Sequence, residues 1–316
     1  MKLPDAILDS PTRTGETLSA ELKRLLAPET VLRRDEPLAK RTTLRVGGPA
    51  EIFVEPVSDA DLAAVVKFCA ERGVNFFVLG RGSNLLVRDG GVRGVVISLA
   101  HPHFSRVEVD GERLRCGAGA KLKEVANAAK HAGLGGLEFL EGIPGSVGGA
   151  LRMNAGAMGG ATFDVLESVR FMDRAGNILE KPRADVPVEY RACRLFQTHI
   201  ALGAVFKGVP APRAEIEAKL ADFNRKRWEV QPAMPSAGCT FKNPPAIPAG
   251  KLIEELGLKG ARFGGAMVSL EHGNFIVNDG GATAADVLKL IEIVRQHAQA
   301  ERGIDLQTEV EIIGED

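Results

Sequence analysis

Glycine-rich loops constrain this chain most, because a glycine lets the backbone approach a neighbour or ligand that any side chain would hold away. Three such loops carry serine or asparagine among the glycines: residues 80–84 (GRGSN), 142–149 (GIPGSVGG) and 154–156 (NAG). Backbone N–H groups in such loops can point at a phosphate, and the hydroxyls and amides add donors. We interpret the three loops together as contacts for a dinucleotide. An ordinary turn remains an open reading for any one of them, since the chain contains 36 glycines.

The commonest dinucleotide-binding fingerprint is absent from this sequence. No GxGxxG motif opens a helix after the first predicted strand, and no acidic residue follows at the spacing that binds a ribose. The glycine-rich loops therefore have to serve a nucleotide in a fold other than the Rossmann fold.

The bulk properties exclude several classes of partner. With 316 residues the chain can form two or three domains, and its formal net charge of −1 lacks the basic excess that nucleic acids and anionic membranes attract. Four dispersed cysteines and six scattered histidines give no metal-binding pattern. From the composition of residues 1–20 and the lack of a long apolar run, we expect neither a signal segment nor a membrane-spanning helix. We expect a cytoplasmic monomer without metal, nucleic-acid or membrane contact.

Hydrophobic periodicity predicts alternating strands and helices. Helices are predicted at residues 17–27, 60–72, 122–132, 214–227, 250–256 and 284–302, with Ser58 and Thr283 as N-caps and Gly73 and Gly303 as terminators. Strands are predicted at residues 51–56, 75–79, 94–99, 273–277 and 306–313. The middle third, residues 101–210, reads as short strands with a single helix. Residues 1–40 read as peripheral and loosely packed apart from their one helix.

A second informative stretch is residues 235–245 (PSAGCTFKNPP), which places a protonatable thiol, Cys239, in a stiff loop. Gly238 allows close approach to a ligand, and the flanking prolines restrict the backbone. Lys242 and Asn243 offer a cation and an amide to an anionic or sugar-like substrate. A small buried cysteine without chemistry is the alternative for Cys239.

These motifs, taken in order, resemble the UDP-N-acetylenolpyruvoylglucosamine reductases. The likeness runs through residues 45–50 (RVGGPA), 79–86 (LGRGSNLL), 141–157 (EGIPGSVGGALRMNAGA), 190–191 (YR), 236–244 (SAGCTFKNP) and 308–310 (TEV). It covers nearly all of residues 38–313, in the shorter form of the family without a long insertion between Asn154 and Tyr190. Such a collinear series is far more specific than any single loop.

The resemblance implies an α+β chain with a vanillyl-alcohol-oxidase (PCMH-type) FAD-binding fold. Residues 38–100 and 101–210 would form its two FAD-binding subdomains, residues 211–316 a substrate-binding domain, and residues 1–37 an N-terminal extension. It also implies that NADPH reduces FAD, which then reduces UDP-N-acetylglucosamine enolpyruvate to UDP-N-acetylmuramate in peptidoglycan synthesis. Relatives of this wider fold often bind flavin covalently through a histidine. Residues 80–94 contain no histidine, so we expect noncovalent FAD.

Three catalytic residues follow from the resemblance. Hydride addition to the enolpyruvyl alkene leaves a carbanion beside a carboxylate, which needs positive charge and a proton donor. Arg191 matches the arginine that binds this carboxylate, and Glu309 matches the glutamate that works with it. Cys239 stands where the family usually has its proton-donating serine. A thiol can donate only while protonated, and an electropositive site would favour the thiolate, so the pH range is in doubt.

The resemblance also supplies binding residues. The expected FAD contacts are Gly47, Gly80, Arg81, Gly82, Ser83, Asn84, Gly119, Ile143, Pro144, Gly145, Ser146, Gly148, Gly149, Asn154, Ala155 and Gly156. The expected substrate contacts are Tyr190, Arg227, Lys242, Asn243 and His272. His272 is equally well read as a plain surface loop residue.

Two other functions remain open from the sequence. A flavin oxidase of the same fold, acting on another sugar or alcohol, would leave the Cys239 loop unexplained. A non-catalytic nucleotide-sugar binding protein would not need Arg191, Cys239 and Glu309 together.

Overall fold

The computed structural model describes residues 15–316. Its α-helices are α1 Gly15–Lys23, α2 Asp59–Arg72, α3 Leu122–His131, α4 Val147–Met153, α5 Leu195–Thr198, α6 Arg213–Val230, α7 Ala249–Glu255 and α8 Ala284–Arg302. Its strands are β1 Val31–Pro37, β2 Pro49–Glu55, β3 Phe76–Leu79, β4 Leu85–Val87, β5 Val92–Ser98, β6 Val107–Asp110, β7 Arg113–Gly117, β8 Leu134–Gly135, β9 Gly156–Ala157, β10 Gly160–Ala161, β11 Leu166–Met172, β12 Ile178–Pro182, β13 Ile200–Lys207, β14 Val209–Pro210, β15 Ser236–Cys239, β16 Arg262–Phe263, β17 Ala266–Val268, β18 Phe275–Asn278 and β19 Glu311–Ile313.

The first sheet has the order β1-β2-β5-β3, with β2, β5 and β3 parallel and β1 antiparallel to β2. Helix α2 connects β2 to β3. Its predicted caps are confirmed, because the Ser58 hydroxyl accepts from Asp61 N at 3.1 Å and Gly73 ends the helix at φ 62°. A left-handed backbone of this kind costs glycine little.

The amino-terminal segment is part of this first sheet, so the expectation that residues 1–40 are loosely packed is wrong for the described residues 15–40. Strand β1 pairs along its length with β2. Leu18 and Leu22 of α1 are buried in the core. The predicted helix at residues 17–27 is present in a shorter form, and residues 1–14 lie outside the described part.

The second sheet is antiparallel, with the order β12-β11-β13-β7-β6, and α3 and α4 pack near it. Helix α4 corrects the prediction of a loop through residue 149 and of a single helix in the middle third. Gly148 and Gly149 made the sequence favour a loop here, because glycine is a poor helix former. The Ser146 hydroxyl nevertheless caps it by accepting from Gly149 N at 3.4 Å.

The third sheet, β15-β18-β17-β16, packs with α7 and α8 around a separate apolar core. Helix α8 has the predicted bounds, with a capping box between Thr283 and Asp286 and Gly303 at its end. The predicted strand at residues 306–313 is wrong over most of its length, since only β19 is a strand. Strand β19 runs parallel to β4, so the end of the chain returns to the amino-terminal part.

The cores divide the molecule unequally. One continuous apolar cluster joins the first two sheets through residues such as Leu62, Val95, Leu114 and Phe206. The third sheet has its own cluster around Phe241. One core shared by the first two sheets, with a separate core for the third, fits the expected α+β architecture. Among the described residues no helix is long and apolar enough to cross a membrane.

Candidate active site

A large cavity of about 870 Å³ lies between the first two sheets. The expected cofactor contacts that line it are Gly80, Arg81, Gly119, Ser146, Gly148 and Gly149. Its wall also contains residues that the sequence did not single out, among them Lys40–Thr43, Val74–Val78, Arg152, Thr198–Ala201 and Glu311. None of these positions is a glycine, so the glycine-rich pattern did not mark them, although Arg152 lies within the motif at residues 141–157. Pockets that enclose large ligands have volumes of this order.

The loop at residues 80–84 contributes its first two residues, Gly80 and Arg81, to this wall. Gly82 has φ 61°, and a Cβ there would lie 2.6 Å from the Arg41 carbonyl oxygen. Within the described part of the chain, the backbone N–H groups of Arg81, Gly82, Ser83 and Asn84 donate to no protein acceptor. A turn with several free N–H groups is a binding concavity for an anion such as a diphosphate.

Two other expected glycines serve close packing at the cavity. A Cβ on Gly80 would lie 2.8 Å from Ser146 Oγ, so glycine allows the loop to meet the start of α4. A Cβ on Gly119 would collide with the Leu99 carbonyl, where the first two sheets approach each other. Both residues shape the cavity by the side chain that they lack.

The remaining expected cofactor residues lie beside the cavity rather than in its wall. Gly47, at φ 120°, packs against Val87. Asn154 ends α4 in a left-handed conformation, and its side chain accepts from Phe163 N at 3.3 Å. The others outside the cavity wall are Gly82, Ser83, Asn84, Ile143, Pro144, Gly145, Ala155 and Gly156.

Arg191 and Glu309 meet although 118 residues separate them in the chain. Arg191 Nε lies 3.0 Å from Glu309 Oε1, and both side chains are largely buried. The Nε–H bond nevertheless points at no acceptor among the described residues. Arg191 itself has φ 56°, an uncommon value for a residue with a side chain, and its Nη1 donates to Gly156 O at 3.4 Å. The pair thus presents a largely buried cation held against a carboxylate.

Backbone contacts bring Cys239 to the same pair. Glu309 N donates to Thr240 O at 2.8 Å, which sets the residue after Cys239 against Glu309. Asn84 Nδ2 donates to Glu309 O at 3.1 Å, so the 80–84 loop adjoins this cluster. The structure therefore joins the three predicted catalytic residues and connects them to the cavity loop.

The Cys239 thiol is held in its protonated form. Burial raises its pKa to about 11, with a further increase from the Glu309 carboxylate, against smaller opposing effects of Arg191 and Asn274. The doubt about the pH range is answered in favour of the thiol, because desolvation and a nearby anion outweigh the single guanidinium. Burial likewise raises the pKa of Glu309, which Arg191 and Lys242 oppose.

Asn274 holds the Cys239 loop, and sequence reasoning missed it. It is buried, its Oδ1 accepts from Phe241 N at 2.9 Å, and its Nδ2 donates to Phe241 O at 2.8 Å. Its own carbonyl accepts from Thr240 N at 2.8 Å. Its place within the predicted strand at 273–277 was the available signal, since a buried asparagine in an apolar segment must find hydrogen-bond partners.

The expected substrate residues divide into two groups. Tyr190 is 63% exposed beside Arg191, and Lys242 is close enough to lower the pKa of Glu309, so both adjoin the catalytic cluster. The other three make contacts elsewhere. Arg227 Cζ lies 5.2 Å from the ring centroid of its neighbour Trp228, Asn243 Oδ1 accepts from Ala249 N, and His272 Nδ1 accepts from Asn274 N.

The contacts of Asn243 and His272 have structural consequences. Asn243 caps the start of α7 with its oxygen, which leaves its amide donors free. His272 is neither a plain surface residue nor joined to the catalytic cluster by a direct contact between described residues. Its ring is half-buried against Phe275, and burial lowers its pKa. The described residues contain no cluster suited to a metal ion.

The fold and cavity define a flavin-binding protein: residues 50–181 match the FAD binding domain family. Residues 231–313 match the C-terminal domain of UDP-N-acetylenolpyruvoylglucosamine reductase. Proteins of that name from Geobacter metallireducens and Geobacillus kaustophilus are 45% and 42% identical to this chain over 96% of its length, and the matches cover 100% and 99% of those proteins. The chain belongs to the UDP-N-acetylenolpyruvoylglucosamine reductase family.

A solved structure agrees with this assignment. The family member from Thermus caldophilus is 41% identical and superposes with a TM-score of 0.77, covering 90% of this chain and 98% of the other. The recognition of the family, the α+β FAD-binding fold and the class of flavin-dependent oxidoreductase are confirmed.

Proposed function

We propose that this chain reduces UDP-N-acetylglucosamine enolpyruvate to UDP-N-acetylmuramate, with NADPH as the reductant and FAD as the carrier. The meeting of Arg191, Glu309 and Cys239 beside the large cavity carries the proposal, in a chain that belongs to this family. We place the reaction in the cytoplasm. The division at residues 38–100, 101–210 and 211–316 belongs to the same proposal, with β1 joined to the first part and β19 returning to it.

The residues present fit a noncovalently bound FAD. The cavity has the size of a site for a large ligand, and the free N–H groups of residues 81–84 suit its diphosphate. The start of α4 faces the same cavity and adds the positive end of a helix dipole. When bound, FAD would supply to C3 of the enolpyruvyl group the hydride that it takes from NADPH.

Arg191 binds the substrate carboxylate. Its guanidinium stays charged and is largely buried, and its N–H groups that do not face Glu309 can donate to the carboxylate oxygens of the substrate. Hydride addition at C3 leaves negative charge at C2 and on this carboxylate. Fixed positive charge in a dry site stabilises that charge most as it develops. Glu309 holds the guanidinium in place through Nε.

Cys239 gives its proton to C2. The S–H bond breaks and a C–H bond forms at the carbanion, which leaves a thiolate that regains a proton from water. The pKa of about 11 keeps the donor loaded at neutral pH. Glu309 contributes here also, because its negative charge opposes the loss of the thiol proton.

The polar residues around this cluster bind the substrate's UDP and sugar groups. Tyr190 and Lys242 adjoin it directly, and we assign them to the substrate. Arg227, the amide donors of Asn243, and His272 complete the proposed set, in the third part of the chain or at its border.

One half-reaction tests the proposal. NADPH is used to bleach the flavin of the purified holoenzyme without oxygen, and one equivalent of UDP-N-acetylglucosamine enolpyruvate is then added. Rapid return of the oxidised flavin spectrum is expected. A flavin that stays reduced until air is admitted would instead indicate an oxidase. In a non-catalytic binding protein, Arg191→Ala would change only the affinity for the substrate. In the proposed enzyme, the same variant loses turnover.

A further inference from the structure

An ion pair outside the predicted site lies in the cavity wall. Arg152, in the last turn of α4, places Nη2 2.6 Å from Oε1 of Glu311, the first residue of β19. Both side chains line the cavity, and about one third of each is exposed. The pair joins a helix of the second sheet's region to the returning end of the chain.

Arg152 also holds the segment that carries Arg191. Its carbonyl oxygen accepts from Cys193 N at 3.0 Å, and its Nη1 donates to Phe196 O at 2.9 Å. Both partners follow Arg191 within five residues. These two contacts anchor a segment in which Arg191 has φ 56° and the local pairing is a short bridge between Glu189 and Ala192.

Glu311 holds the segment that carries Glu309. Its N–H donates to Asn84 O at 3.0 Å, and it pairs with Leu85 in the parallel β4–β19 ladder. Glu309 lies two residues earlier on the same backbone. Arg152 and Glu311 therefore join, through a single side-chain contact, the two segments whose side chains meet at Arg191 and Glu309.

We propose that Arg152 and Glu311 are positioning residues that set the geometry of the Arg191–Glu309 pair. The inference rests on the proposed roles of that pair. Neither positioning residue exchanges a proton or touches the reacting atoms. They act by keeping Arg191 and Glu309 in position, since displacement of a catalytic group by about 1 Å can cost on the order of 10²-fold in rate.

Charge reversal and its rescue test this role. Arg152→Glu and Glu311→Arg each place like charges together, whereas the double variant restores an opposite pair in swapped order. The rate of flavin reoxidation by the enolpyruvyl substrate is followed in each reduced holoenzyme. Each single variant is expected to lose about 10- to 100-fold at saturating substrate, and the double variant to recover most of that loss.

The matched control is Arg113 and Glu167, an ion pair of similar length and exposure between β7 and β11, away from the cavity. Its single and double reversals are expected to leave the rate unchanged. Milder variants, Arg152→Gln and Glu311→Gln, serve if a reversal prevents folding. Single variants with wild-type rates, or a double variant no better than the product of the singles, would overturn the inference.

A second readout separates this inference from the proposed function. The pH dependence of Cys239 alkylation, followed by mass spectrometry, reports the charges around the thiol without any turnover. Single reversals are expected to displace that profile and the double variant to restore it. If the enolpyruvyl substrate does not reoxidise the reduced flavin of the wild-type protein, the proposed function fails. The alkylation profile still decides whether Arg152 and Glu311 set the cluster's geometry, and an unchanged profile in every variant rejects that.

Discussion

The thiol at position 239 gives the sharpest prediction, because burial and Glu309 raise its pKa to about 11 from an ordinary value of 9.0. The group donates only when protonated, so its contribution is complete well below the pKa and falls as the pH rises through it. At pH 9 an ordinary thiol would be about half ionised, whereas this one would be ionised to roughly 1%. Turnover should therefore not decline between pH 7 and 9 through loss of this proton.

The perturbation is a pair of substitutions compared over that range. Cys239→Ser retains a protonated donor at every accessible pH and should stay active with a flat profile. Cys239→Ala removes the donor and should lower kcat on the order of 10²–10⁴-fold, the usual contribution of a positioned general acid. The assay is the steady-state oxidation of NADPH in the presence of the enolpyruvyl substrate, with flavin content checked for each variant.

Two results would refute this reasoning. A wild-type kcat that falls between pH 8 and 9 while that of Cys239→Ser does not would mean that the thiol ionises in the ordinary range. A Cys239→Ala variant with normal kcat would remove the thiol from the mechanism. On the acidic side the raised pKa of Glu309 predicts that activity falls at a pH above the usual carboxyl range, because protonation breaks its pairing with Arg191.

Three further predictions follow from single contacts. Gly82→Ala should weaken FAD binding in a fluorescence titration, because its Cβ would lie 2.6 Å from a carbonyl oxygen, whereas Gly111→Ala, at a similar positive φ in open space, should not. Asn274→Leu should lower stability to urea by about 1–3 kcal/mol and lower kcat, and equal kcat in a folded variant would contradict the clamp on the Cys239 loop. Thr283→Ala should cost about 1 kcal/mol of unfolding free energy through loss of its cap, with kcat unchanged, and an unaltered urea midpoint would argue against it.

The sequence predicted best where the signal is local. Helix α8 was bounded correctly because Thr283 and Gly303 are chemical markers of its two ends. Helix α4 was missed because its two glycines suggested a loop, although Ser146 was a usable cap. The strand expected at residues 306–313 was mostly wrong, since alternation does not show that a backbone turns aside to bond with Thr240 and Asn84.

The site shows a different limit. Family resemblance gave Arg191, Cys239 and Glu309, but their mutual charge effects depend on burial and on contacts between distant segments. The sequence left the pH range of the thiol in doubt, because it shows the cations Lys242 and Arg191 but does not show how deeply the thiol is buried. No local signal marked Arg152 or Glu311, because an arginine on a helix and a glutamate on a strand are common on any protein surface.

The same contacts explain how a thiol can stand where the family resemblance implies a serine hydroxyl. A serine needs no help to remain protonated, so its surroundings can be strongly cationic. A cysteine in the same place needs surroundings that penalise its anion, and here burial does so while Glu309 adds negative charge. Glu309 thereby has two effects that act together: it holds the Arg191 guanidinium for the substrate carboxylate, and it keeps the neighbouring donor loaded. Replacement of Glu309 at alkaline pH should consequently lower kcat more in the enzyme with Cys239 than in the Cys239→Ser variant, since only the thiol can lose its proton there.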